Sequence, residues 1–201
     1  MKIPFTIILL LTLNFCFSQT SVDWSFDYQL DLSDFDSNET EINNELTTYS
    51  ISSGAQIDFS FEMSTYQFMF TKNFNKKVKT VFNKKSAVIV APDSLTAIRL
   101  VRVGQYGFDL TELYSRKFRK EIYEKKSAFS GVSFFKPIFN DLQDKMNAEN
   151  ARVMKTSNLG ENQILLKQEH DKILQEIDKL SDFCFDCKPL KKRKRKKKKK
   201  D

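Results

Sequence analysis

The chain has 201 residues, of which 40% are apolar, including 19 phenylalanines; this is the composition of a globular body with a buried core rather than of a disordered chain, and its length suits one domain. The formal charge of +7 belongs to one terminal run, because without Lys2 and residues 191–201 there are 22 basic residues against 25 acidic ones. The body is therefore near −3 and not a basic surface, and its charge is segregated: residues 19–50 carry eight acids and no Lys or Arg.

Lys2, the apolar run 3–17 and the Ser18-Gln19 pair have the charged start, greasy middle and small residue of a secretory signal peptide. The run is too short for a comfortable membrane span, so cleavage near Ser18 and a location in the periplasm or outside the cell are expected. Lipid attachment at Cys16 is the alternative, disfavoured by the bulk of Phe15; an uncleaved anchor is another.

From Val22 to Leu32 apolar residues take every second position, which predicts a half-buried strand. Trp24 and the surrounding acids are read as core aromatics and a solvated acidic face rather than a carbohydrate or calcium site, since no calcium-loop spacing is present. A polar loop follows over 33–44. After a turn at Ser52-Ser53-Gly54, Ile57, Phe59, Phe61 and Met63 alternate; the pattern slips at Ser64-Thr65 and resumes as Tyr66, Phe68 and Phe70, predicting a bulged strand. Further strands are expected over 76–82 and 87–91, with a turn at 83–85.

Asp93 or Ser94 is placed to cap a helix over about 94–125, with Leu95, Ile98, Val101, Leu113, Phe118 and Ile122 at helical spacing. Gly104 and Gly107 fall inside it, each costing roughly 1 kcal/mol relative to Ala. They mark a decayed site, or a close approach of another backbone, or a break at which Asp109 and Glu112 form the capping box of a new helix. Asp109, Glu112, Arg116 and Arg119 are expected to form ion pairs that fix the helix against its neighbours. A turn at 127–131 leads to a helix that Ser133 is placed to cap, running to about 155 with Phe135, Ile138, Phe139, Leu142 and Met146 on one side. A break over 156–160 precedes a third helix over about 161–183, striped by Ile164, Ile173, Leu174, Ile177 and Leu180. It holds His170, the one histidine of the chain, read as a solvent-facing or partly buried residue.

Cys184 and Cys187 follow. Neither a thioredoxin-type context nor the histidine of a haem-attachment motif accompanies them, Lys188 standing where the latter is needed. In an exported protein they are read as a local or intermolecular disulfide, ahead of free thiols or metal and redox work. Ten consecutive cations precede the final Asp201: Lys191, Lys192, Arg193, Lys194, Arg195, Lys196, Lys197, Lys198, Lys199 and Lys200. Their mutual repulsion predicts a disordered tail, which is either merely solvated or a candidate site for anionic envelope lipid, surface polysaccharide or extracellular DNA.

The stretch 101–120, VRVGQYGFDLTELYSRKFRK, resembles the zinc-site helix of a family of exported bacterial proteins regarded as zinc-dependent proteases, which reads about HEQxHFD[LI]TELYxRKxRK. Gln105, Phe108, Asp109, Leu110, Thr111, Glu112, Leu113, Tyr114, Arg116, Lys117, Arg119 and Lys120 match. The first histidine falls on Val103, the glutamate on Gly104 and the second histidine on Gly107. Histidines at i and i+4 grip one zinc while the glutamate takes a proton from its water; valine and glycine do neither. The resemblance implies an α+β, zincin-like single domain, with antiparallel strands in the N-terminal half followed by three helices. It implies no catalytic residue, metal or cofactor. On this basis the chain divides into a signal peptide (1–18), an acidic strand and loop (19–51), the zincin-like domain (52–183) and a CxxC with basic tail (184–201). The function implied is that of a catalytically silent binding or structural component of the bacterial envelope. A hydrolase with an unconventional metal or carboxylate site, and a polyanion-binding protein acting through its tail, are the alternatives.

Overall fold

The computed structural model describes residues 20–189 apart from 61 and 128; the export segment with Cys16, Phe61 of the alternating run, and basic residues 191–200 lie outside the described residues. The architecture is α+β, with strands in the N-terminal half and helices in the C-terminal half. Among the described residues no helix is long and apolar enough to cross a membrane.

Among the described residues six short strands make two three-stranded sheets: β1 (Ser21–Asp23), β2 (Glu41–Ile42), β3 (Ser50–Ser52), β4 (Ala55–Phe59), β5 (Val78–Asn83) and β6 (Val88–Ala91). β5 lies between β1 and β4, antiparallel to both, with Val22 opposite Phe82 and Ile57 opposite Thr80. β6 lies between β3, antiparallel, and β2, parallel. That parallel pair corrects the all-antiparallel expectation. The whole of β3 to β5 intervenes between β2 and β6, which is the long connection a parallel pair requires.

Two expected strands are something else. Pairing of the 22–32 stretch ends after the Trp24 N–H donates to the Thr80 carbonyl at 2.9 Å; the chain then turns, the Tyr28 N–H reaching the Ser25 carbonyl. The end of the stretch lies along a helix rather than in a sheet, the Leu30 N–H donating to the Gln105 side chain at 2.7 Å, and Phe26 of the alternating set is exposed. Tyr66, Phe68 and Phe70 belong to α1 (Thr65–Phe70) and not to a bulged strand. There Ser64 and Gln67 form a capping box, and this local pairing overrides alternation. Phe68 is buried, while Tyr66 and Phe70 stack on each other outside.

The loop 33–44 also hides a core residue. Asp31 accepts the Ser33 N–H, and Asp34 accepts the Asp31 N–H, closing a 3-10 turn at Leu32–Asp34. Lys84 and the Tyr28 hydroxyl hold the other Asp34 oxygen. The turn delivers Phe35 into the core, edge-on to Phe82 at 5.4 Å.

The long helix α2 (Ser94–Lys125) has the expected limits, its first turn capped by Asp93, which accepts the Thr96 N–H at 2.8 Å. It is unbroken at both glycines. It packs on both sheets and on α3 (Phe135–Thr156) and α4 (Gln163–Lys179), and it contributes to both apolar clusters. Burial so complete explains why a 32-residue helix carries polar residues that must be satisfied internally. Leu95 and Ile98, assigned to its apolar stripe, are exposed, because the buried face of these first turns is the one that carries Ala97, Leu100 and Val101.

Ser133 does not cap α3: it lies in a 3-10 turn at Val132–Phe134 and α3 starts without a side-chain cap. Pro137 is third in α3, where its missing N–H has no helical partner to lose. α4 begins behind Asn162, which accepts the Leu165 N–H, and stops earlier than the expected 183, giving way to a 3-10 turn at Ser181–Phe183. Ile173 and Ile177 of its stripe are buried, whereas Ile164 is exposed. Three successive positive φ angles, at Asn158, Leu159 and Gly160, reverse the chain between α3 and α4.

Candidate functional site

Gln105, Asp109, Glu112, Arg116 and Arg119 recur at three- and four-residue intervals, so they form one stripe of α2. All five are buried. Asp109 Oδ1 accepts the Trp24 indole N–H at 2.7 Å, and Oδ2 accepts the Gln105 amide at 2.9 Å and lies 2.7 Å from His170 Nε2. Gln105 turns its oxygen to the Leu30 N–H. Asp109 thus joins the N-terminal segment, α2 and α4 at one carboxylate, whose burial is compensated by these donors. It was expected among the ion pairs of α2; its partners are Gln105 of the same helix and, on other elements, Trp24 and His170.

Glu112 carries those ion pairs. Its Oε1 accepts Arg116 Nε at 2.7 Å and Arg119 Nη1 at 3.0 Å, and its Oε2 accepts the Thr80 hydroxyl at 2.7 Å. The arginines also serve carbonyls left over by neighbouring elements: Arg119 donates twice to Val78 and once to Phe183, and Arg116 donates to Ile177. Burial draws the Arg119 guanidinium below its ordinary pKa, and Glu112 opposes that shift. Arg116 further stacks on Trp24 at 5.3 Å. Of the other matched residues, Phe108 packs edge-on against Phe82 at 5.5 Å, and Tyr114 is buried beneath the Lys117 ammonium, its phenol pushed up by burial.

Val103, Gly104 and Gly107 stand where the resembled family has its ligands and base. A Cβ on Gly104 would lie 2.6 Å from Phe35 Cζ, so a ring already occupies the space of any side chain there. Val103 is buried with its Cγ2 2.7 Å from where a Cβ on Gly160 would be, while a Cβ on Gly107 would meet Ser53 Oγ at 3.6 Å, an ordinary contact. At about 100° per residue, Val103 and Gly107 point away from the Gln105–Asp109–Glu112 stripe. These residues offer no donor atom to zinc and do not fit it, and among the described residues no group of three or more His, Cys, Asp or Glu is arranged to hold a metal ion.

Beside the polar stripe, α4, the first half of α2 and the 29–30 segment enclose a cleft of about 460 Å³. Arg99, Arg102, Lys167 and His170 line it with a largely apolar wall. His170 therefore faces both a buried carboxylate and open space, which its place in the sequence did not reveal: it is 61 residues from Asp109. The signal available for Trp24 was weaker still, namely that a buried indole N–H needs an acceptor somewhere.

Cys184 and Cys187 are joined in a disulfide. The turn they close is held to the body by Asn75, whose amide donates to the carbonyls of Asp182 and Cys187, and by Asn73, which donates to Cys187. The basic run Lys191–Lys200 begins beyond it, outside the described residues.

No protein-family model matches this chain, and neither does any curated protein or solved structure.

Proposed function

We propose that the chain is an exported, catalytically silent protein with a zincin-like frame that acts as a binding or structural component of the bacterial envelope. The observation that carries this is Phe35 seated against Gly104: where a protease of the resembled family needs a general base, an aromatic ring fills the volume. The polar residues that match the family are engaged otherwise, Glu112 with two arginines and Asp109 with Trp24, Gln105 and His170. They tie elements together and leave no carboxylate free to activate water at the glycine positions. The apolar start of the sequence supports export.

Metal analysis of the purified mature protein tests this. Substoichiometric zinc after exposure to the ion and dialysis is the expected result; one zinc per chain would overturn the silent assignment and restore the hydrolase.

The tail supports a second activity, attachment to polyanions. Ten adjacent cations release counterions on binding, and with 6–10 phosphate contacts the affinity for duplex DNA falls roughly 10³–10⁵-fold between 50 and 200 mM salt. Deleting Lys191–Lys200 is expected to abolish retention on DNA or anionic liposomes at low salt. Retention unchanged by the deletion removes the tail from any such role.

A further inference from the structure

The cleft between α2 and α4 carries charge of one sign. Arg99, Arg102 and Lys167 line it, and no aspartate or glutamate does so among the described residues. Lys167 is neutralised by Asp171 at 2.6 Å. Arg102 is not: its Nη1 donates to the amide oxygen of Gln163, and among the described residues no carboxylate lies within ion-pair distance of it. Arg99 is mostly buried and only loosely paired. Its guanidinium stacks on Tyr49 at 4.6 Å and reaches Glu161 Oε1 at 3.4 Å, an oxygen that also accepts the Tyr49 hydroxyl at 3.0 Å. Among the described residues its Nε is buried without a partner. A buried guanidinium N–H that lacks an acceptor is the group an entering anion satisfies, and a planar fork suits a carboxylate.

The rest of the wall asks for hydrocarbon. Leu30, Val101 and Leu166 line the interior and Ile164 the rim, where it is 74% exposed. Ile98 lies one turn before Arg102 on the same helix face and is also exposed. A small inorganic anion would leave this wall in water, and a neutral chain would leave Arg99 and Arg102 unmet. The volume, about 460 Å³, falls within the roughly 300–1,000 Å³ of small-molecule sites.

We propose that this cleft binds an amphipathic carboxylate, its headgroup on Arg99 and Arg102 and its alkyl chain along Val101, Leu166 and Ile164. This gives a ligand class to the binding role proposed above but rests on the cleft alone; one zinc per chain would overturn that role's silent frame and leave this site standing.

Isothermal titration of the full mature chain with dodecanoate, below its micelle concentration, tests it against acetate and dodecyltrimethylammonium. One-to-one binding of dodecanoate at least tenfold tighter than either control is expected. Arg102→Glu should weaken it tenfold or more without moving the thermal midpoint, because Arg102 is exposed and, among the described residues, held only by Gln163. Ile164→Asp, at the rim, should weaken it as well. Absence of binding, equal binding of either control, or an affinity that neither variant changes overturns the site. The last result would assign the carboxylate to the basic tail, which both variants keep.

Discussion

Glu112→Gln is expected to lower the unfolding free energy by about 3–5 kcal/mol, the loss that follows when one partner of a buried ion cluster is neutralised and the other charge remains. Glutamine keeps the volume, so no cavity contributes. What changes is that Arg116 and Arg119, 7% and 1% exposed, lose the carboxylate that accepts from both of them at 2.7 and 3.0 Å. Two like charges then share a buried pocket with only carbonyl oxygens for acceptors. With total stability typically about 5–15 kcal/mol, the variant should unfold at a much lower urea concentration with an unchanged slope. A midpoint shift worth less than about 1 kcal/mol would mean that water reaches the cluster and that the stripe is not the tie described here.

Gly160→Ala is expected to cost about 2–5 kcal/mol, from two separable causes. The residue sits at φ +81, where a Cβ costs about 1–2 kcal/mol, and that Cβ would lie 2.7 Å from Val103 Cγ2, an overpacking of about 1–3 kcal/mol. Val103→Ala relieves the closest contact of the second cause, leaving Leu166 Cδ2 at 3.3 Å, and does not touch the first. Added to Gly160→Ala, it should therefore recover part of the loss in a double-mutant cycle; strict additivity would show that the two residues do not touch. The helical glycines provide the contrast. Gly107→Ala meets only Ser53 at ordinary distance and should stabilise by about 0.4–1 kcal/mol. Gly104→Ala must displace the buried Phe35 ring, and its gain of about 1 kcal/mol in helix propensity is offset by overpacking of about 1–3 kcal/mol. Opposite signs for these two alanines are the mark of one glycine required by packing and one that is not.

How far the sequence reached can be judged at individual residues. The limits of α2 were legible because Asp93 precedes a sustained helical pattern, and both are local signals. The Glu112–Arg116–Arg119 association was legible for the same reason, since i+4 and i+7 neighbours share a face. Asp109 with His170 was not, because nothing in a linear spacing of 61 tells which turn of α4 will face which turn of α2. Phe35 was hidden in a polar loop; only the capped turn around Asp31 and Asp34 sends its ring inward. At Tyr66–Phe70 and beyond Trp24, alternation was real but its cause was not a sheet: one segment is helical through its Ser64–Gln67 box, and the other is pinned to α2 by side chains.

Arg119 joins the carbonyls of Val78 and Phe183 through one guanidinium, and Asn75 grips the turn closed by Cys184 and Cys187. In mechanical terms the C-terminal segment is a rope tied to a post set in the body. A pull on the lysines beyond it would be borne first by Asn73 and Asn75 at Cys187, then by Arg119 at Phe183, and through Arg119 by Glu112, so the anchorage of the tail and the integrity of the central helix share one load path.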